Sequence, residues 1–112
     1  MALRPHRLTV FITPLAQRDL EQIWNYNCDA YDADHATNYI AFLMKETAKL
    51  NTEYLQGKFA PNHFHFRYRL IRKGRGHGYL AIYTVLDSTV EVIHYYHTAQ
   101  DWQGKLAHGE LE

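Results

Sequence analysis

One cysteine, Cys28, in 112 residues leaves no partner for an intramolecular disulfide. A cross-linked secreted scaffold is therefore excluded, and the lone thiol fits a reducing compartment. Long apolar runs are also missing, since none approaches the ~18 residues a membrane-crossing helix needs. The sequence has no internal repeat, no low-complexity segment and no linker-like stretch. Net charge is lacking too, with twelve basic and twelve acidic side chains. At 46% hydrophobic residues the chain has enough apolar matter to fold, which excludes a disordered class. Arg4 and Arg7 before Leu8–Ile12 give a faint likeness to a leader peptide. Thr9 interrupts that stretch, however, and Gln17-Arg18-Asp19 follows without a small-residue cleavage site. A first strand over Leu8–Thr13, one domain over residues 1–112, a cytoplasmic location and no membrane partner are the expectations.

The zero net charge conceals an uneven distribution. Residues 58–86 hold Lys58, Arg67, Arg69, Arg72, Lys73 and Arg75 without one acid, half of all the cations in a quarter of the chain. A local positive field of that kind suits a polyanion or an acidic protein segment.

Thr13-Pro14 starts a helix, the threonine capping free amides and the proline fitting the first helical position. Ala16, Leu20, Ile23, Trp24 and Cys28 then recur at three- and four-residue steps as far as about Ala30. Asp32 can cap a second helix whose stripe runs through Ala36, Ile40, Leu43, Thr47, Leu50 and Tyr54, joined by Tyr39 and Met44. The short link predicts an antiparallel helical hairpin. Gly57 ends the pattern and Ala60-Pro61-Asn62 reads as loop. Thereafter the period falls to two. Phe64, Phe66, Tyr68 and Leu70 alternate with His65, Arg67, Arg69 and Ile71, a half-buried strand with one basic face. A glycine-rich turn over residues 74–78 leads to Tyr79–Leu86, apolar on both faces like a central strand. Asp87-Ser88 turns the chain into a last strand over Val90–Tyr96, and residues 99–106 leave room for a short terminal helix. The fold class expected is α+β: a strand, a two-helix hairpin and a three-strand antiparallel meander, β-α-α-β-β-β.

At this point the chain resembles a known group. Thr13–Tyr26 (TPLAQRDLEQIWNY) is similar to the opening of ParE-type toxins in the RelE/ParE superfamily, and Ala36–Leu50 to their second helix. Gly78–Trp102 resembles the family's ending, with Tyr79, Tyr83, Val90, Val92, Ile93, His97 and Asp101 on its pattern. The likeness spans about residues 9–106. It implies the toxin of a bacterial type II toxin–antitoxin module of the plasmid-stabilisation type. Such a toxin is neutralised by a cognate antitoxin, in a complex that can be a higher-order hetero-oligomer, and no cofactor is implied. ParE-type toxins inhibit DNA gyrase, whereas RelE-type relatives cut mRNA at the ribosome. Two positions depart from the pattern. Thr98-Ala99-Gln100 is neutral where basic residues often follow the histidine, and Leu80 follows Tyr79 where ribonuclease relatives commonly carry arginine.

The candidate contact residues are Arg67, Arg69, Arg72, Lys73, Arg75, His97 and Trp102. Guanidinium groups on one strand face bind phosphates or carboxylates bidentately, although a solvated face that keeps a strand soluble is the plainer reading. A ribonuclease would need a base, an acid and cations around the phosphate. Arg69, Arg72, His77 and His97 are the residues that could supply them, with Tyr95 or Tyr96 stacking a base. No catalytic residue is assigned beyond that conditional set. No metal site is expected, because His63-x-His65 and His94-x-x-His97 lack the cysteine or helical spacing of one. Cys28, Trp24, Tyr39 and Met44 are expected in the core. A third reading makes the chain a non-toxic interaction module.

Overall fold

The computed structural model describes residues 7–61 and 63–107, without the side chains of Phe64 and Ala107. The expectations for Arg4, Asn62 and the Phe64 side chain lie outside these described residues. Strand β1 (Thr9–Ile12) leads into α1 (Pro14–Ala30), whose first turn is closed by Thr13 Oγ1 accepting from the Ala16 amide at 3.3 Å. Helix α2 (Ala33–Ala48) is capped in the same way by Asp32, which accepts from the His35 amide at 2.7 Å. Lys49 separates α2 from a single turn, α3 (Leu50–Glu53). The stripe read through Tyr54 still buries Leu50 and Tyr54 although the helix breaks at Lys49, ahead of both.

Strands β2 (Lys58–Ala60), β3 (His63–Ile71), β4 (Tyr79–Leu86) and β5 (Thr89–His97) follow, then helix α4 (Trp102–Ala107). The five strands lie in the order β1-β5-β4-β3-β2, with β1 parallel to β5 and every other pair antiparallel. The α+β class and element order match the expectation. The extra strand β2 corrects the loop read at Ala60. It is three residues long, too short for a period of two to register, and its pairing with β3 shifts between Phe59 and Ala60.

The sheet has two apolar faces. Leu20, Ile23, Leu43 and Leu50 pack with Ile71, Ala81, Tyr83, Val90, Val92 and Tyr95 under the helical hairpin. On the reverse face Leu80, Ile82 and Tyr96 pack with Leu106 of α4. Being covered on both sides, β4 buries Leu80 through Tyr83 in succession, as the unbroken apolar run requires. Asn27, held by its own Nδ2 donating to the Ile23 carbonyl at 2.8 Å, fills the core position on α1. Cys28 and Trp24 are consequently half-buried beside it, as is Tyr39 on α2. Met44 is 47% exposed, which corrects the core assignment, because Leu43 takes the inward position next to it. Gly57 is required by close approach: a Cβ there would sit 2.1 Å from the Tyr83 hydroxyl, which donates to the Tyr54 carbonyl.

Among the described residues no helix is long and apolar enough to cross a membrane. Leu43→Ala is expected to lower unfolding free energy in urea by about 2–5 kcal/mol. Met44→Ala should stay within about 0.5 kcal/mol of the parent.

Candidate functional site

The structure divides the five cations of β3 and the turn after it into two groups, and this corrects the expectation of a single basic face. Ile71 shares a face with Arg67 and Arg69 and is buried under the helices, so the alternation places both arginines on the helical side of the sheet. There they turn to their own chain. Arg69 Nη2 pairs with Glu53 Oε1 at 2.6 Å, with both side chains largely covered. Arg67 donates to the Gly57 carbonyl at 2.8 Å and lies 4.1 Å from the centre of the Phe59 ring. The two guanidinium groups thus fasten α3 and the segment leading into β2 to the sheet.

Arg72, Lys73 and Arg75 lie elsewhere, exposed on the β3–β4 turn. Gly74 and Gly76 give that turn its shape with φ of 68° and 99°, a region where side chains strain the backbone. Arg72 Nη1 donates across it to the Gly76 carbonyl at 3.2 Å. Lys73 Nζ lies over the rings of Phe42 and Tyr39 at 5.0 and 5.8 Å. Of the conditional ribonuclease set, His77 and His97 are brought together with ring centroids 5.4 Å apart, while Arg69 is drawn away to Glu53.

The neutral segment after His97 has an evident task. Thr98 Oγ1 accepts from the Gly78 amide at 3.1 Å and bonds His77 Nδ1 at 3.0 Å, and Gly78 returns its carbonyl to the Thr98 amide. Gln100 Oε1 accepts from the His97 amide at 2.8 Å. Thr98 therefore locks the turn to the end of β5. Trp102 is half-buried against Tyr68, 5.0 Å between centroids, and clamps the reverse face of the sheet. Tyr95 and Tyr96 are only 4% exposed, so neither can stack a base as supposed.

A groove of about 450 Å³ runs between α1 and the end of β5, lined by Asp19, Tyr26, Tyr79, His94, His97 and Lys105. Strand β1 ends at Ile12, opposite Val92, so the last part of β5 has no strand on this side. Asp19 substitutes for one: its Oδ2 accepts from the Tyr95 amide at 3.0 Å and from His94 Nδ1 at 2.8 Å. This pairing joins residues 75 positions apart, and no local sequence signal could have revealed it. Burial pushes the Tyr79 hydroxyl up to about 12, helped by Tyr39 and Tyr26 nearby, so it remains protonated at neutral pH. The pKa of His97 is lowered, first by burial and then by His77 beside it.

The fold and the site together define a small α+β scaffold, a five-stranded sheet carrying a helical hairpin on one face. In fold it is similar to a chain of the chromosomal ParDE toxin–antitoxin system from P. aeruginosa, with TM-score 0.69 and 15% identity over 80% of this chain and 95% of that one. No curated protein matches it in sequence. The family model described as ParE toxin of type II toxin–antitoxin system, parDE, matches residues 10–102, and the chain belongs to that family.

Because the folded state disfavours protonated His97, the unfolded chain binds more protons just below the ordinary histidine pKa. Stability should therefore fall as pH drops through the histidine range. Thermal melts from pH 7.5 to 5 should show a smaller loss for His97→Asn than for the parent. A double-mutant cycle on Arg69→Ala and Glu53→Gln should return a coupling of about 1 kcal/mol, more than an exposed pair without orientation would give.

Proposed function

We infer that this chain is the toxin of a two-protein module, kept inactive by a cognate antitoxin, and that it acts by binding and inhibiting DNA gyrase. Family membership supports the toxin role. The observation that carries the antitoxin reading is an uncovered half of the sheet. Helix α4 packs over Leu80, Ile82 and Tyr96. The other end of that face, where Phe11 and Leu86 lie by strand alternation, has no helix upon it among the described residues. Phe11 is 47% and Leu86 49% exposed. The patch adjoins β1, whose outer edge carries no paired strand among the described residues. An amphipathic antitoxin segment suits such a surface, an added strand meeting β1 and apolar side chains covering Phe11 and Leu86. Its ordering cost would be offset by that burial.

Gyrase is favoured over mRNA as the target by the use of Arg69. A ribonuclease needs cations poised for the phosphorane charge, and this one is committed to Glu53. The close pair of His77 and His97 favours the second reading, a ribosome-dependent endoribonuclease that would use them with Arg72.

Inducing the chain in a bacterium and following plasmid topology and transcripts in one culture separates the two. Relaxed or cleaved plasmid with intact messages is the expected outcome. Transcripts cut near codons with normal topology would establish the ribonuclease, and normal growth without either effect would leave an interaction module. Phe11→Glu with Leu86→Glu should weaken antitoxin capture at least tenfold while the melting curve stays close to the parent's.

A further inference from the structure

Beyond the gyrase reading, we propose that the β3–β4 turn and the aromatic strip beside it form a binding site for a short stretch of single-stranded nucleic acid. The strip runs without a break from the exposed face of α2 to the ends of β4 and β5. His35 and Tyr39 lie parallel within 3° at 6.5 Å, and Tyr39 meets Tyr79 at 5.9 Å. Tyr79 meets His97 at 5.2 Å, and His97 meets His77 at 5.4 Å. Five rings from three elements and the β3–β4 turn therefore make one surface, with His35 and His77 exposed at its ends and the others half-buried between them. Rings of this kind accept bases by stacking, whatever the base.

The charge beside the strip fits the same ligand. Arg72, Lys73 and Arg75 are exposed on the turn, and none takes part in an ion pair among the described residues. Lys73 already reaches over the strip to Phe42 and Tyr39. A phosphate backbone held at the turn would leave its bases over His77, Tyr79 and His35. Asp32 and Asp34 precede His35 on the chain and limit the site at that end to a few nucleotides. An acidic peptide would satisfy the cations but leave the rings without stacking partners, so nucleic acid is the occupant the surface favours.

The test uses the purified full chain without antitoxin or gyrase, so its outcome is independent of the target named above. Fluorescence anisotropy with labelled oligothymidylate of ~8 nucleotides should show saturable binding that weakens with salt. Three phosphate contacts predict a slope of log K against log salt near −2, at about −0.7 per contact on a single strand. Arg72→Glu with Arg75→Glu should weaken binding at least tenfold and flatten that slope. His35→Ala with His77→Ala should weaken it about tenfold with the slope unchanged, because stacking and not charge is removed. All four positions are exposed, so the variants should fold, with melting curves close to the parent's as the check. Absence of binding at low salt would overturn the proposal. So would an abasic oligomer or polyglutamate that binds as tightly as oligothymidylate.

Discussion

A single unpaired residue on β5 governs what the rest of the molecule can do. Ile82 faces His94 and Tyr83 faces Val92, so Ile93 stands opposite nothing on β4. The bulge reverses the alternation halfway along the strand. Val90 and Val92 point into the core under the helices, and so does Tyr95, whereas Tyr96 points to the reverse face with Leu106. Thr13 secures this place. Its hydroxyl donates to the Val92 carbonyl at 2.8 Å, and its amide donates to the same oxygen at 3.1 Å. One residue thus caps α1 and fixes the strand where its register changes.

The consequences extend to both ends of the sheet. Past the bulge, His97 comes to lie beside Tyr79 and His77 on the helical side, which completes the chain of rings. Beyond Val92 the strand also loses β1 as a neighbour, and Asp19 closes the opening by gripping the Tyr95 amide and His94. A carboxylate that accepts from a backbone amide and an imidazole together is well satisfied. It also keeps a bare strand edge from recruiting another chain. Among the described residues the edges left open are β1, beside the exposed Phe11 and Leu86, and the three-residue β2, beside the exposed Leu55 and Phe59.

The cations show why composition misleads about surfaces. Six of them fall in 29 consecutive residues with no acid between, and alternation along β3 puts Arg67 and Arg69 on one face. That face turned out to be the inner one. Its acid, Glu53, comes from α3, and its carbonyl partners come from the loop at Leu55 and Gly57. An arginine at the margin of a core can lay its stem on apolar surface and spend its fork on local acceptors. The three cations on the turn meet no acid among the described residues: Lys73 rests on the Phe42 and Tyr39 rings of α2, and all three keep their charge for solvent or a ligand.

Much of the architecture was legible in the amino acids because its causes are local. Thr13-Pro14 and Asp32 supply the caps they promise, and the steps from Ala16 to Ile23 and from Ala36 to Leu43 mark the buried stripes. The run Tyr79–Leu86 is central because only a strand covered on both sides tolerates such apolarity. The likeness of Thr13–Tyr26 and Gly78–Trp102 to ParE toxins agrees with the family match over residues 10–102. What tertiary structure alone decided depends on partners far along the chain. Examples are Arg69 with Glu53, Asp19 with His94, and Thr98 with His77 and Gly78. Hydrogen bonds and ion pairs form wherever folding brings donors to acceptors, and a linear pattern carries no record of that distance.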